Sequence, residues 1–141
     1  MEFINLSEKS RYMYGGHKRN SNDVANSLGY KTYRPGKRFA SKTGRVVFCV
    51  GINIMKKANL IARDRMSILK STDNKIGILR KIDPTDIMNG NRLHHSGSRY
   101  CCELITAYTE DFTKSKGAEI VTLKNVIIRY QEIEFDWYND N

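Results

Sequence analysis

From Gly44 onward the chain breaks into short runs of β-branched and aromatic residues separated by turn clusters, and no apolar run approaches the roughly 18 residues that would span a bilayer. Val46-Val47-Phe48-Cys49-Val50 reads as a buried strand. Ile54, Met55, Ala58 and Ile61 then fall at helical spacing and predict a short helix. Arg65-Met66-Ser67-Ile68-Leu69 alternates polar and apolar, as a half-buried strand does. Ser71-Thr72-Asp73-Asn74 is a turn cluster, and residues 75–82 return as the second strand of a hairpin. The same order follows over residues 98–135: a strand at 99–105, a short helix at 109–114, a strand at 119–123, a tight turn at Lys124-Asn125 and a return at 126–130. The expected fold class is therefore α+β, a small β-rich domain over residues 44–138 with two pseudo-repeated strand-helix-hairpin units, 44–82 and 98–135.

Ahead of that domain the composition changes. The 141 residues carry a net charge of +9, and it is graded: +7 over residues 1–45, +5 over 46–95 and −3 over 96–141. Residues 1–43 read as an irregular basic arm with one short helix near 21–29, where Ser21 or Asn22 is the N-cap and Gly29 the stop. Between Tyr30 and Arg45 six cations, Lys31, Arg34, Lys37, Arg38, Lys42 and Arg45, interleave with Tyr30, Tyr33 and Phe39 around a Pro35-Gly36 turn. Cations neutralise phosphates and release counterions, while rings stack on bases. The alternative is a hairpin whose aromatics pack the core. Arg11, Lys18 and Arg19 sit upstream in a second basic and aromatic stretch broken by Gly15-Gly16. The candidate nucleic-acid contacts are thus Arg11, Lys18, Arg19, Lys31, Arg34, Lys37, Arg38, Lys42 and Arg45 for phosphates, with Tyr30, Tyr33 and Phe39 for stacking.

Gly44-Arg45-Val46-Val47, the helical turn after it, residues 60–68 and residues 75–81 resemble the amino-terminal DNA-binding domain of AbrB-type transition-state regulators, over about 40 residues. The resemblance implies a swapped-hairpin β-barrel dimer, its second half supplied here by the second unit, with basic contacts from Lys42, Arg45, Arg63 and Arg65. Phe48-Cys49 stand where that family has a proline after the first strand, and the helical segment is a few residues longer.

Other constellations are sparse. His94-His95 and Cys101-Cys102 lack the spacing that converges side chains on one ion, so no metal and no cofactor is expected. The stretch from Asn89 to Arg99 reads as a flexible linker whose His and Arg touch phosphate. Three cysteines, Cys49, Cys101 and Cys102, without CxxC spacing point to reduced thiols packed in strands, and to the cytoplasm, of a host cell if the protein is viral. Asp83 with Asp86, and Glu110 with Asp111, sit at turn or helix-start positions, and no P-loop or nucleophile elbow occurs, so no catalytic residue is assigned. The acidic tail, Glu132 to Asn141, reads as a last edge strand burying Ile133, Phe135 and Trp137. The expected function is non-enzymatic DNA binding, as a phage or mobile-element transcriptional regulator, with a homodimer or another protein as further partner and no membrane. The alternatives are a virion-associated assembly protein whose arm contacts subunits or packaged genome, and an RNA or single-strand binder.

Overall fold

The computed structural model describes residues 1–7, 22–33, 44–107, 109, 111–112 and 121–137. In chain order they form β1 (Phe3–Asn5), α1 (Asn22–Ala25), β2 (Leu28–Tyr33), β3 (Arg45–Gly51), α2 (Ile52–Lys57), β4 (Arg65–Ser71), β5 (Ile76–Lys81), β6 (Asn91–His95), β7 (Cys101–Ala107), β8 (Val121–Thr122), β9 (Ile127–Arg129) and β10 (Glu132–Asp136). The strands make one curled antiparallel half-barrel in the order β8-β2-β3-β7-β6-β4-β5-β10-β9, with β1 beside β4. β4 turns the corner. Its start, Arg65 and Met66, pairs with Arg92 and Asn91 of β6, while Leu69, Lys70 and Ser71 pair with β1 on the same edge. Because only two residue pairs join β6 to β4, the two halves of the sheet can fold toward each other.

The concave side holds the core. In β3, Val46, Phe48 and Val50 are at most 1% exposed and alternate with Arg45, Val47 and Cys49, which the strand's period of two sends to the other face. Five rings bridge the halves. Tyr30 and Phe48 are direct cross-strand partners with centroids 5.4 Å apart, Phe112 meets both at 6.0 Å, Phe48 faces Phe135 at 6.3 Å, and Trp137 closes on Phe112 at 5.4 Å. These spacings lie in the range where ring quadrupoles add to simple burial. Phe135 pairs with Gly77 across β10 and β5, and a Cβ on Gly77 would overlap the Phe135 ring and come within 2.8 Å of Trp137 Cε3. Glycine at this position lets the ring lie flat on the strand.

The hairpin expected over 65–82 forms as β4 and β5. Ser71 Oγ accepts from the backbone N–H of Lys75 and Ile76, and Asn74 takes the left-handed conformation, φ 62°, that closes the turn. The second unit pairs differently from the first: β8 pairs with β2, and the hairpin partners are β9 and β10. Thr109, Asp111 and Phe112 lie outside any helix; Phe112 packs in the core instead, and Asp111 forms a 2.9 Å ion pair with the nine-tenths buried Lys70. Within the segment expected to be an arm, β1 and β2 belong to the sheet. β2 is wholly buried between β8 and β3, β1 is knitted to β4, and Leu6 N–H donates to Ile68 O. Gly29 continues β2 rather than ending a helix, and α1 is a single turn. The expected linker contains β6, whose Leu93 is 1% exposed and sits opposite Leu104 of β7. β10 buries Ile133 and Phe135, and Trp137 just after it, as expected, but it lies between β5 and β9, so Glu132 and Glu134 pair with Arg80 and Arg129 rather than guarding an edge. No helix among the described residues is long and apolar enough to cross a membrane.

Candidate nucleic-acid interface

β2 and β3 run antiparallel from Leu28 opposite Val50 to Tyr33 opposite Arg45, and every residue of both strands is buried. They form a firm ribbon. Residues 34–44 connect its two strands and carry Arg34, Lys37, Arg38, Lys42 and Phe39 with no carboxylate. Those five, with Arg11, Lys18 and Arg19, lie outside the described residues.

The other four candidates belong to the ribbon. Tyr30 is 2% exposed, and its ring packs on Phe48 and Phe112, so it fills the core rather than offering a face to a base. Lys31, Tyr33 and Arg45 occupy the opposite face, where the Arg45 guanidinium carbon stands 4.4 Å from the centre of the Tyr33 ring. Arg45 and Lys31 are both buried, at 1% and 6% exposure, and both are engaged within the fold. Glu103 of β7, also 1% exposed, shares that face through its pairing with Cys49; a carboxylate there reduces the cost of burying two cations. Both cations thus lie within the fold, Arg45 against the Tyr33 ring.

The three thiols are free and buried. Burial, with the neighbouring Cys101 and Glu103 adding to it, pushes the Cys102 thiol up to about 11, which leaves it protonated and unreactive at neutral pH. Asp83 and Asp86 serve a turn: Asp83 accepts from the hydroxyl and N–H of Thr85, which hold its carboxyl below the usual range, and Asp86 accepts from Asn89. Among the described residues no three His, Cys, Asp or Glu side chains could hold a metal ion together.

A second cationic group stands at the β4–β6 corner. Arg65 and Arg92 are cross-strand partners whose guanidiniums converge on one carbonyl, Pro84 O, from Arg65 Nε at 2.9 Å and Arg92 Nη2 at 3.4 Å. Arg65 Nη1 also donates to Gly90 O and Arg92 Nη1 to Arg63 O, both at 2.9 Å. Two like charges drawn to one carbonyl repel each other. Carbonyl dipoles offset part of that, but none of the ion pairs among the described residues includes Arg63, Arg65 or Arg92. Asp64, between Arg63 and Arg65 in sequence, is turned to Lys81 and to the Ile61 N–H. Arg63 itself is left-handed, φ 78°, a conformation that costs a non-glycine residue about 1 kcal/mol or more and is fixed here by Arg63 N–H to Leu93 O at 2.8 Å and by the Arg92 bond. Next along β6, burial and then the charge of Arg92 push the His94 imidazole below its ordinary value. Sequence reading placed Arg65 at the head of a strand and Arg92 in a linker; the β4–β6 register pairs the two, and Arg92 Nη1 donates to the Arg63 carbonyl.

No protein-family model, curated protein or solved structure matches this chain.

Proposed function

We propose that the protein binds DNA without catalysing a reaction on it, as a transcriptional regulator of a phage or other mobile element. One observation carries this reading: β2 and β3 pair as a ribbon, and the sequence between them, residues 34–44, has four cations, an aromatic and no carboxylate. A connection tethered at both ends by buried strands loses less conformational freedom on binding than a free tail does. Arg34, Lys37, Arg38 and Lys42 contact phosphates, Arg11, Lys18 and Arg19 add to them from the basic arm, and Phe39 stacks. Lys31, Arg45, Tyr30 and Tyr33 are buried within the ribbon itself. The AbrB-type resemblance of residues 44–82 points to the same ligand.

The test is a fluorescence-anisotropy titration of the purified chain against labelled duplex DNA, single-stranded DNA and RNA at two salt concentrations. Tight, salt-sensitive binding that favours duplex supports the reading. A preference for single strands or RNA overturns the choice of ligand, and absence of binding at low salt overturns nucleic-acid binding altogether.

A further inference from the structure

We infer that Asn89 is a self-modification site: the Gly90 nitrogen attacks the Asn89 side chain, and the turn before β6 changes from an amide to a carboxylate without an enzyme. Asn89-Gly90 is the one Asn-Gly pair in the chain. It lies outside every helix and strand, just ahead of Asn91 at the start of β6, and Asn89 is exposed. Glycine has no Cβ to crowd the approach of its nitrogen to the preceding side chain. The Gly90 N–H donates to no group among the described residues, so losing its proton breaks no hydrogen bond there. Other asparagines lack that freedom. After Asn26, Asn59 and Asn74 the next N–H is committed, from Ser27 to Val24 O, from Leu60 to Met55 O and from Lys75 to Ser71 Oγ.

The reaction needs only water and hydroxide. Gly90 N–H gives its proton to hydroxide, the nitrogen bonds to Asn89 Cγ, and the Cγ–Nδ2 bond breaks with ammonia as the leaving group, which leaves a cyclic imide. Water opens the imide at either carbonyl. One product is aspartate; the other is isoaspartate, whose main chain runs through the former side chain and is longer by a methylene. Aspartate puts a carboxylate where Asn89 Nδ2 now donates to both oxygens of Asp86, at 3.2 and 3.1 Å, so attraction becomes repulsion. Isoaspartate lengthens the backbone beside a residue that has no slack. Gly90 O is held by Arg65 Nη1 at 2.9 Å, and a Cβ on Gly90 would come within 2.5 Å of Met66 O. The added length therefore falls on the Asn89 carbonyl, which accepts from Asn5 Nδ2 at 3.0 Å and ties β1 to the turn.

The test is storage of the purified full chain at mildly alkaline pH, followed by peptide mass mapping and by methyl labelling with an isoaspartate O-methyltransferase. Conversion of amide to acid in the Asn89 peptide, several times faster than at Asn26, Asn59 or Asn74, is expected. Labelling should be absent from Asn89→Gln, whose longer side chain closes the ring far more slowly. A native chain whose Asn89 peptide keeps its mass while the urea-unfolded chain converts, or one that converts no faster at Asn89 than at Asn26, would overturn the site. A second arm reads the consequence by thermal unfolding. Asn89→Asp should lower the midpoint, and adding Asp86→Asn, which restores a donor opposite the new carboxylate, should recover it. A midpoint unmoved by the first substitution, or not recovered by the second, would overturn the role given to Asp86. Neither arm depends on DNA binding.

Discussion

Replacing Phe135 with Ala tests whether the five-ring bridge holds the two halves of the sheet together. The ring is 1% exposed, faces Phe48 and Trp137 at 6.3 Å each, and lies over Gly77, which has no side chain to move into the space. Removing a buried ring forfeits roughly 1.5–3 kcal/mol of transfer free energy. A residual cavity on the order of 60 Å³ adds about 1.4 kcal/mol at 24 cal/mol per Å³. The expected loss is therefore about 3–4.5 kcal/mol. In urea unfolding, with a slope near 2 kcal/mol/M, the midpoint falls by about 2 M at unchanged slope. Phe48→Leu and Phe135→Leu, combined in a double-mutant cycle, should couple by roughly 0.5–1.5 kcal/mol, the share that belongs to ring against ring. A loss under about 1 kcal/mol for Phe135→Ala, or no coupling in the cycle, would refute the bridge.

Gly51→Ala places a methyl 2.5 Å from Val24 O and even closer to Ala25 O, both rigid backbone atoms of α1, so it should destabilise by about 1–3 kcal/mol in the same assay; a neutral result would show that α1 packs elsewhere. His94 has a lowered folded pKa, so the unfolded chain takes up its proton first, and the stability it confers is full above its ordinary pKa of 6.5 and is lost as pH falls from there through the folded value. His94→Asn should accordingly flatten the drop in stability between pH 7.5 and pH 5 measured by urea unfolding, and an identical drop in both proteins would contradict this. Cys102 should stay unmodified by a thiol reagent under native conditions at pH 7 and react on unfolding, as read by mass spectrometry.

How far the sequence could be read depends on where local preference and tertiary context agree. The β4–β5 hairpin was legible because Arg65 to Leu69 alternates and Ser71 to Asn74 supplies turn chemistry, and each local signal matches the fold. α2 stops earlier than its spacing implies. Ile61 fits the helical period but is 68% exposed, because Asn59 turns left-handed, φ 58°, just past the helix end. β6 was hidden because Asn91-Arg92-Leu93-His94-His95 has little β-propensity, and pairing with β7 decides its conformation. β2 was disguised by its own chemistry: Lys31 and Tyr33 read as part of a basic, aromatic arm, yet every residue of the strand is buried in the sheet. The charge of the β2–β3 connection is readable from composition. The pairing of Arg65 with Arg92 is not, since it arises only through the β4–β6 register.

The central claim is that the β2–β3 connection binds DNA phosphates, and the salt dependence of duplex binding addresses it most directly. Each phosphate contact on B-DNA contributes about 0.9 to the slope of log affinity against log salt. The triple variant Arg34→Ala, Lys37→Ala, Arg38→Ala should bind more weakly on most sequences, and its slope should be shallower than wild type by about 2.7, three contacts at 0.9 each. A triple variant with the affinity and slope of wild type would contradict the account.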